Sequence, residues 1–278
     1  MVSRNAHIKN KTFKKLFEKI IKEELPEQLC DVAVLFSGGV DSSTCLFALL
    51  ELGYNPIIYS FRLSNYISED FLSAKNCANL FNLKFKEVIV PTNNIKQDFL
   101  KLVQKYNCSK KTQLECAFPW MYLFQEISEE YVITGLCADS HYGLSKTVMI
   151  NYKDTKEKFD KYRISSFEKG NPEGIKQMEH ISKEYNKILI SPYVHPLIQK
   201  YFLQFNWEEI NKPYQKYLII QNYNNYFKKT GRRIHSNLQL NARIPEVFIT
   251  LLDDKEFNFK NRKRTMDLVR DYYKKYND

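Results

Sequence analysis

The sequence predicts an α/β fold, a parallel sheet with helices on both faces, followed by a mainly helical C-terminal half. Three observations carry this expectation. The run DVAVLFSGGVDSSTCLFALLELG, from Asp31 to Gly53, reads as a buried strand, a glycine turn and the start of an amphipathic helix. Strand and helix patterns then alternate to about residue 146. Such alternation implies right-handed crossovers and a parallel sheet. Beyond that point strand patterns nearly vanish, and helical ones dominate to the C-terminus.

The elements follow in order. Phe13, Leu16, Phe17, Ile20 and Ile21 recur at helical spacing, so an amphipathic helix is expected within residues 1–29. After the strand and glycine turn, a helix is expected from about Ser42 to Leu52 and a strand over Pro56–Phe61. A helix over Glu69–Asn82 and a strand over Lys86–Val90 come next. Helical patterns near Ile95–Tyr106 and Gln113–Ile127 lead to the β-branched strand Tyr131–Thr134. No repeat, Pro/Gly linker or low-complexity tract interrupts the chain, and the boundary near residue 150 is only a change of pattern. The expected division is 1–29, an N-terminal helix; 30–150, an α/β core; and 151–278, a helical part.

Composition narrows the function classes. A hydrophobic fraction of 44%, with 19 Phe and 19 Tyr, supplies a sizeable core and excludes wholesale disorder. No apolar run approaches the roughly 20 residues that span a bilayer. The N-terminus is basic without an apolar signal core, so a cytoplasmic protein with no membrane partner is expected. The cysteines at 30, 45, 77, 108, 116 and 137 form no CxxC pair, against a zinc ribbon or a disulfide scaffold. The net charge of +10 gathers at the ends, in Lys9, Lys11, Lys14, Lys15, Lys19 and Lys22, and again between Lys260 and Lys275. Solvated helix faces are the favoured reading of these groups, and a polyanion surface the other.

The chemistry concentrates in the glycine turn. Ser37, Gly38 and Gly39 let the backbone fold closely around an anion. Ser42 and Ser43 add hydroxyls and N–H groups at a helix N-terminus, where the dipole favours negative charge. No Gly-Lys-Ser/Thr follows, so this is not a Walker loop. Asp41 stands in the turn instead, and a carboxylate beside phosphates calls for a bridging divalent cation. Ser37-Gly38-Gly39-Val40-Asp41-Ser42-Ser43 resembles the SGGxDSS loop of the PP-loop ATP pyrophosphatases. The resemblance implies a HUP-like fold, ATP cleaved between its α and β phosphates, and an adenylated intermediate.

Two further stretches resemble the synthetase domain of asparagine synthetases. Thr134-Gly135-Leu136-Cys137-Ala138-Asp139-Ser140-His141-Tyr142-Gly143 is similar to SGEGxDExxGGY, keeping Gly135 and Asp139. The family's glutamate is Leu136 here, and the acidic residue after the aspartate is Ser140. The resemblance implies that Asp41 and Asp139 share Mg²⁺ and that Gly135 lines the ATP site. His141 reads as a packing or capping residue rather than a base. Ser191-Pro192-Tyr193-Val194-His195-Pro196-Leu197-Ile198, with Lys216-Tyr217-Leu218-Ile219 downstream, resembles PFLDxxL … KxxLR, with Val194 and Ile220 as departures. It implies that Lys216 is the catalytic lysine that neutralises developing charge; Lys212 is its competitor. Arg233, in a polar Arg–Gln segment, is expected near pyrophosphate, and Ser60 and Phe61 near adenine.

The function these resemblances imply is an ATP- and Mg²⁺-dependent amide-forming ligase that activates a small-molecule or peptide carboxylate as its acyl-AMP. The chain starts Met1-Val2, without the terminal cysteine of the family's glutaminase domain. Free ammonia, a separate glutaminase or an amine on the substrate is therefore expected as the nitrogen source. The second reading is a PP-loop enzyme that modifies a nucleic acid or nucleobase. The third is a degenerate nucleotide-binding partner or sensor.

Overall fold

The computed structural model describes residues 4–170, 172–231 and 237–277, with side chains from Thr12 onward. Among the described residues, β1 (Val32–Leu35), β2 (Ile57–Leu63), β3 (Phe85–Val90), β4 (Tyr131–Thr134) and β5 (Ile188–Ile190) form a five-stranded sheet in the order β3-β2-β1-β4-β5. Every neighbouring pair runs parallel. All four residues of β1 are buried, as a central strand covered on both faces requires. On the edge strand β3, Val88 and Val90 are buried while Lys86, Glu87 and Ile89 face solvent.

The connections place helices on both faces. In the first half run α1 (Arg4–Glu24), α2 (Val40–Glu51), α3 (Glu69–Leu80), α4 (Ile95–Gln104) and α5 (Lys111–Glu126). In the second run α6 (Asp139–Tyr142), α7 (Lys146–Asn151), α8 (Lys156–Glu168), α9 (Ile175–Glu184), α10 (Pro196–Phe202) and α11 (Trp207–Asn211). The last are α12 (Tyr217–Asn222), α13 (Asn224–Thr230), α14 (Leu238–Asn241), α15 (Ile244–Ile249) and α16 (Thr265–Asn277). Alternate residues of β1 feed two cores. Val32 and Val34 pack with α1, α2, α3, α10 and α12, and Ala33 and Leu35 with α4, α5, α15 and α16. The period-2 alternation of a strand thereby joins both layers to one sheet.

On α1, Phe13, Phe17, Ile20 and Ile21 are buried, and Phe13 and Phe17 stack at 5.1 Å. Lys15, Lys19 and Lys22 are exposed, and Lys14 pairs with Glu51 at 2.5 Å. At the other end Arg262 meets Asp271 and Arg264 meets Asp267. Several of these charges are thus exposed or ion-paired at the surface, and Lys9 and Lys11 lie outside the residues with described side chains. No helix among the described residues is long and apolar enough to cross a membrane.

Element boundaries differ modestly from expectation, each for a physical reason. β2 continues past Phe61 because β3 pairs with it as far as Leu63↔Val90. Helix α3 ends at Leu80 rather than Asn82, since Asn82 takes a left-handed φ of 53°, a stop that asparagine tolerates. In the sheet the chain turns one way from β1 to β2 and β3, and the other way to β4 and β5. The crevice beyond the carboxyl ends of β1 and β4 is the switch point where such sheets bind ligands.

Candidate active site

Both motif loops leave the sheet at that switch point. After β1, Phe36 N–H still donates to the Tyr59 carbonyl, and the chain then breaks away. Gly38 has a φ of +72°, and a Cβ there would meet Ser73 Oγ at 2.4 Å, so both backbone and space call for glycine. The turn is tied by its own hydroxyls. Ser37 Oγ accepts from Gly39 N–H at 3.3 Å, and Ser42 Oγ accepts from Ser37 N–H and donates to the Gly39 carbonyl. Ser42 and Ser43 are buried in the first turn of α2. A cavity of about 470 Å³ opens beside Phe36, Gly38 and Ser43, walled by α3 and Lys229–Gly231.

The second loop lies directly on the first. A Cβ on Gly135 would sit 2.6 Å from the Asp41 carbonyl carbon and 2.7 Å from Ser42 N. Beyond it Cys137 is held at a φ of +71°, and Asp139 opens α6.

The third contributor arrives from the helical half. Lys216 precedes α12 in a left-handed conformation, φ 60°, and is only 3% exposed. Its Nζ meets Asp41 Oδ2 at 2.6 Å and Asp139 Oδ1 at 2.9 Å. The ammonium also lies over the Tyr142 ring, 4.8 Å from its centroid, a favourable cation–π placement. Asn211 fixes this geometry from α11. Its Nδ2 donates to the Tyr142 carbonyl at 2.9 Å, and its Oδ1 accepts from Lys216 N–H at 3.1 Å. Lys212 instead pairs with Glu208 at the surface, with 61% of its side chain exposed. Burial brings Lys216 to the two loops and leaves Lys212 at the surface.

Burial pushes the Asp41 carboxyl up to about 6, with Lys216 pulling it down and Asp139 raising it. Burial works against the Lys216 charge, but Asp139 and Asp41 outweigh it and raise its pKa. The ammonium is thus locked in its charged form near neutrality. Lys216 bonds Asp41 Oδ2 and leaves the buried Oδ1 to the Tyr142 side; a hard carboxylate oxygen there suits a cation. Among the described residues no three His, Cys, Asp or Glu side chains cluster as a metal site. A divalent ion at Asp41 and Asp139 would therefore draw further ligands from phosphate and water, the habit of Mg²⁺.

The remaining expected residues are placed as follows. Ser60 and Phe61 are buried on β2, just past the Leu35↔Tyr59 pairing, level with the start of the first loop. Arg233 lies outside the described residues. His141 packs in the core, its ring stacked between Phe167 at 4.8 Å and Phe202 at 4.4 Å. Its Nε2 sits 2.8 Å from the Tyr193 carbonyl. Burial lowers the His141 pKa from 6.5 to about 3. As pH falls below 6.5, the unfolded chain takes up a proton that the folded chain refuses. This residue therefore costs stability toward acid, at about 1.4 kcal/mol per pH unit. In His141→Gln, which keeps a donor for Tyr193, the loss of stability between pH 6.5 and 4.5 is expected to be smaller; urea unfolding at both values measures it.

Two residues of the site had no sequence signal. Asn211 stands in no motif. Glu173 reaches the second loop from between α8 and α9. Its Oε2 accepts from Cys137 N–H at 2.7 Å, and its Oε1 from Ser140 N–H and Ser140 Oγ at 2.9 Å each. Burial and the nearby Asp139 charge raise its carboxyl to about 7, against the pull of those donors.

The sequence profile of the asparagine synthase family matches residues 12–166, more than half of the chain. The chain belongs to the asparagine synthase family. The matched span carries both motif loops, and Lys216 lies beyond it. Membership supports an ATP-using, adenylating enzyme of the PP-loop superfamily. Solved structures similar to this family member include a predicted subunit of a tRNA methyltransferase from Methanocaldococcus jannaschii, at 19% identity and TM-score 0.36, covering 63% of this chain and 76% of that one. The U34-tRNA thiolase NcsA from Methanococcus maripaludis matches at 12% identity and TM-score 0.38, with 95% and 80% covered. NMN synthetase from Francisella tularensis matches at 14% identity and TM-score 0.35, with 92% and 96% covered. No curated protein matches the sequence.

Proposed function

We propose that the protein is an ATP-dependent amide-forming ligase that activates a carboxylate by adenylation, releasing AMP and pyrophosphate. The observation that carries this reading is the Lys216 ammonium held between Asp41 and Asp139 at the sheet's switch point. A charge already fixed where negative charge will build needs no reorganisation during reaction. On this reading residues 30–150 bind ATP, and residues 151–278 complete the site through Lys216. Backbone N–H groups and hydroxyls of Ser37, Gly38, Gly39, Ser42 and Ser43 cradle the pyrophosphate, while Ser60 and Phe61 border the adenine. Gly135 lets the second loop close on the first. Mg²⁺ held by Asp41 and Asp139 supplies positive charge against the phosphates.

In the first step a carboxylate oxygen of the substrate attacks the α-phosphorus. The bond to the α–β bridging oxygen breaks, and pyrophosphate leaves with the electron pair. In the second, ammonia or an amine attacks the acyl carbon, loses a proton, and AMP leaves with the acyl–oxygen pair. Lys216 is too firmly protonated to act as a base, so its role is electrostatic in both steps. The nitrogen comes from free ammonia, a separate glutaminase or an amine on the substrate.

The test is the nucleotide product. Protein incubated with Mg-ATP and pooled carboxylates and amines is expected to form AMP and pyrophosphate, separated by anion exchange. ADP would overturn the reading. Asp41→Asn is expected to slow AMP formation by about tenfold or more, at least 1.4 kcal/mol in the barrier; an unchanged rate removes Asp41 from the chemistry.

A further inference from the structure

We infer that Glu173 is a positioning residue, holding the Leu136–His141 turn so that Asp139 meets Lys216 and Asp41. The inference rests on the adenylating reading above and assigns a role at that same site. It starts from a gap in the local structure. Helix α6 opens at Asp139, preceded by Ala138, whose methyl group offers no capping hydrogen bond, and a helix start leaves N–H groups without intrahelical partners. Glu173, 33 residues beyond Ser140 in the chain, accepts from one of these, Ser140 N–H, from the Ser140 hydroxyl, and from Cys137 N–H just ahead of the cap.

The backbone on both sides of this contact is unusual. Cys137 has a φ of +71° and Glu173 a φ of +52°, followed by Gly174 at +81°. Non-glycine residues in that region cost about 1–3 kcal/mol each and persist only where the surroundings enforce them. Here the two are bonded to one another, Cys137 N–H to Glu173 Oε2. Cys137 Sγ also lies 3.4 Å from the Pro172 carbonyl, and Ser191 Oγ donates to the Leu136 carbonyl at 2.9 Å. The turn bearing Asp139 is thus gripped by the helical half, with Glu173 as its main clamp.

A neutral amide or hydroxyl could have capped these donors. A carboxylate beside Asp139 and Asp41 instead adds unfavourable like charge, which costs stability unless a cation arrives. Glu173 is not itself a ligand in this reading: its oxygens are taken by Cys137 and Ser140, and it acts on the cation site only through the placement of Asp139. Partners that orient metal-binding groups in this way are worth about 10–100-fold in metal affinity.

The experiment compares the full-length protein with Glu173→Gln, of the same size with one acceptor oxygen kept, and with Glu173→Ala. Mn²⁺ affinity is read by electron paramagnetic resonance in the presence of ATP, and ATP affinity by calorimetry in EDTA. The expected result is Mn²⁺ binding weakened about tenfold or more, with metal-free ATP affinity within about twofold of wild type. A mere helix cap would lower the melting temperature and leave the Mn²⁺ affinity where it was, and that outcome overturns the role of Glu173 while leaving the adenylating reading intact. Absence of Mn²⁺-dependent ATP binding in the unmodified protein overturns both. Should Glu173→Ala not fold, Glu173→Gln alone decides.

Discussion

Replacing Lys216 with alanine is expected to slow AMP formation by about 10²–10³-fold, the cost of removing one preorganised charge-stabilising group. The same change should destabilise the fold. Lys216 is 3% exposed, and its removal leaves Asp41 and Asp139 facing each other without the cation between them. Breaking a buried ion pair from one side costs about 3–5 kcal/mol. The expected loss lies near the lower end, about 3 kcal/mol, because 39% of the Asp139 side chain reaches solvent and screens its half. Lys216→Met, which keeps the stem and loses only the charge, separates packing from electrostatics. Urea unfolding and single-turnover AMP release are the measurements. A loss in turnover below tenfold would remove Lys216 from the transition state.

Gly135→Ala is expected to be nearly as severe, for a reason that involves no charge. The added Cβ would meet Asp41 C and Ser42 N at 2.6 and 2.7 Å. Both are backbone atoms, so no side chain can rotate aside, and the two loops must separate. A displacement of about 1 Å between groups that act together can cost about 10²-fold in rate. AMP formation should fall by that order. Gly53→Ala is the control: Gly53 has a φ of +83° with nothing within 4 Å of the added Cβ. It should cost about 1 kcal/mol in stability through backbone strain alone and leave turnover unchanged. Equal losses in the two variants would mean that Gly135 matters only to folding.

The two motif loops differ in how far the chain alone reveals them. The first was readable because its parts are consecutive: strand, glycine turn and helix start all lie between Asp31 and Gly53. The second carried Asp139 legibly, but Leu136 and Ser140 pointed to acidic groups lost. In the folded chain a carboxylate stands against Cys137 and Ser140 after all, contributed by Glu173. No local pattern announces it, since a lone glutamate between two helices looks like any solvated residue. Lys212 and Lys216 show the same limit. They stand four residues apart in similar surroundings, and what separates them is a left-handed turn at Lys216, held by Asn211, that aims one ammonium inward.

The sequence by itself determined the fold class, the succession of strands and helices through β4, and the glycine turn between β1 and α2. Those properties depend on hydrophobic period, turn residues and helix-start chemistry, all written within a few residues of one another. Only the tertiary structure decided which charges meet. Asp41 and Lys216 are 175 positions apart, and Cys137 and Glu173 are 36 apart. They come together because the strand order reverses beside β1 and the helical half folds back over the opening. Electrostatics acts over a few ångströms of space and is indifferent to distance along the chain.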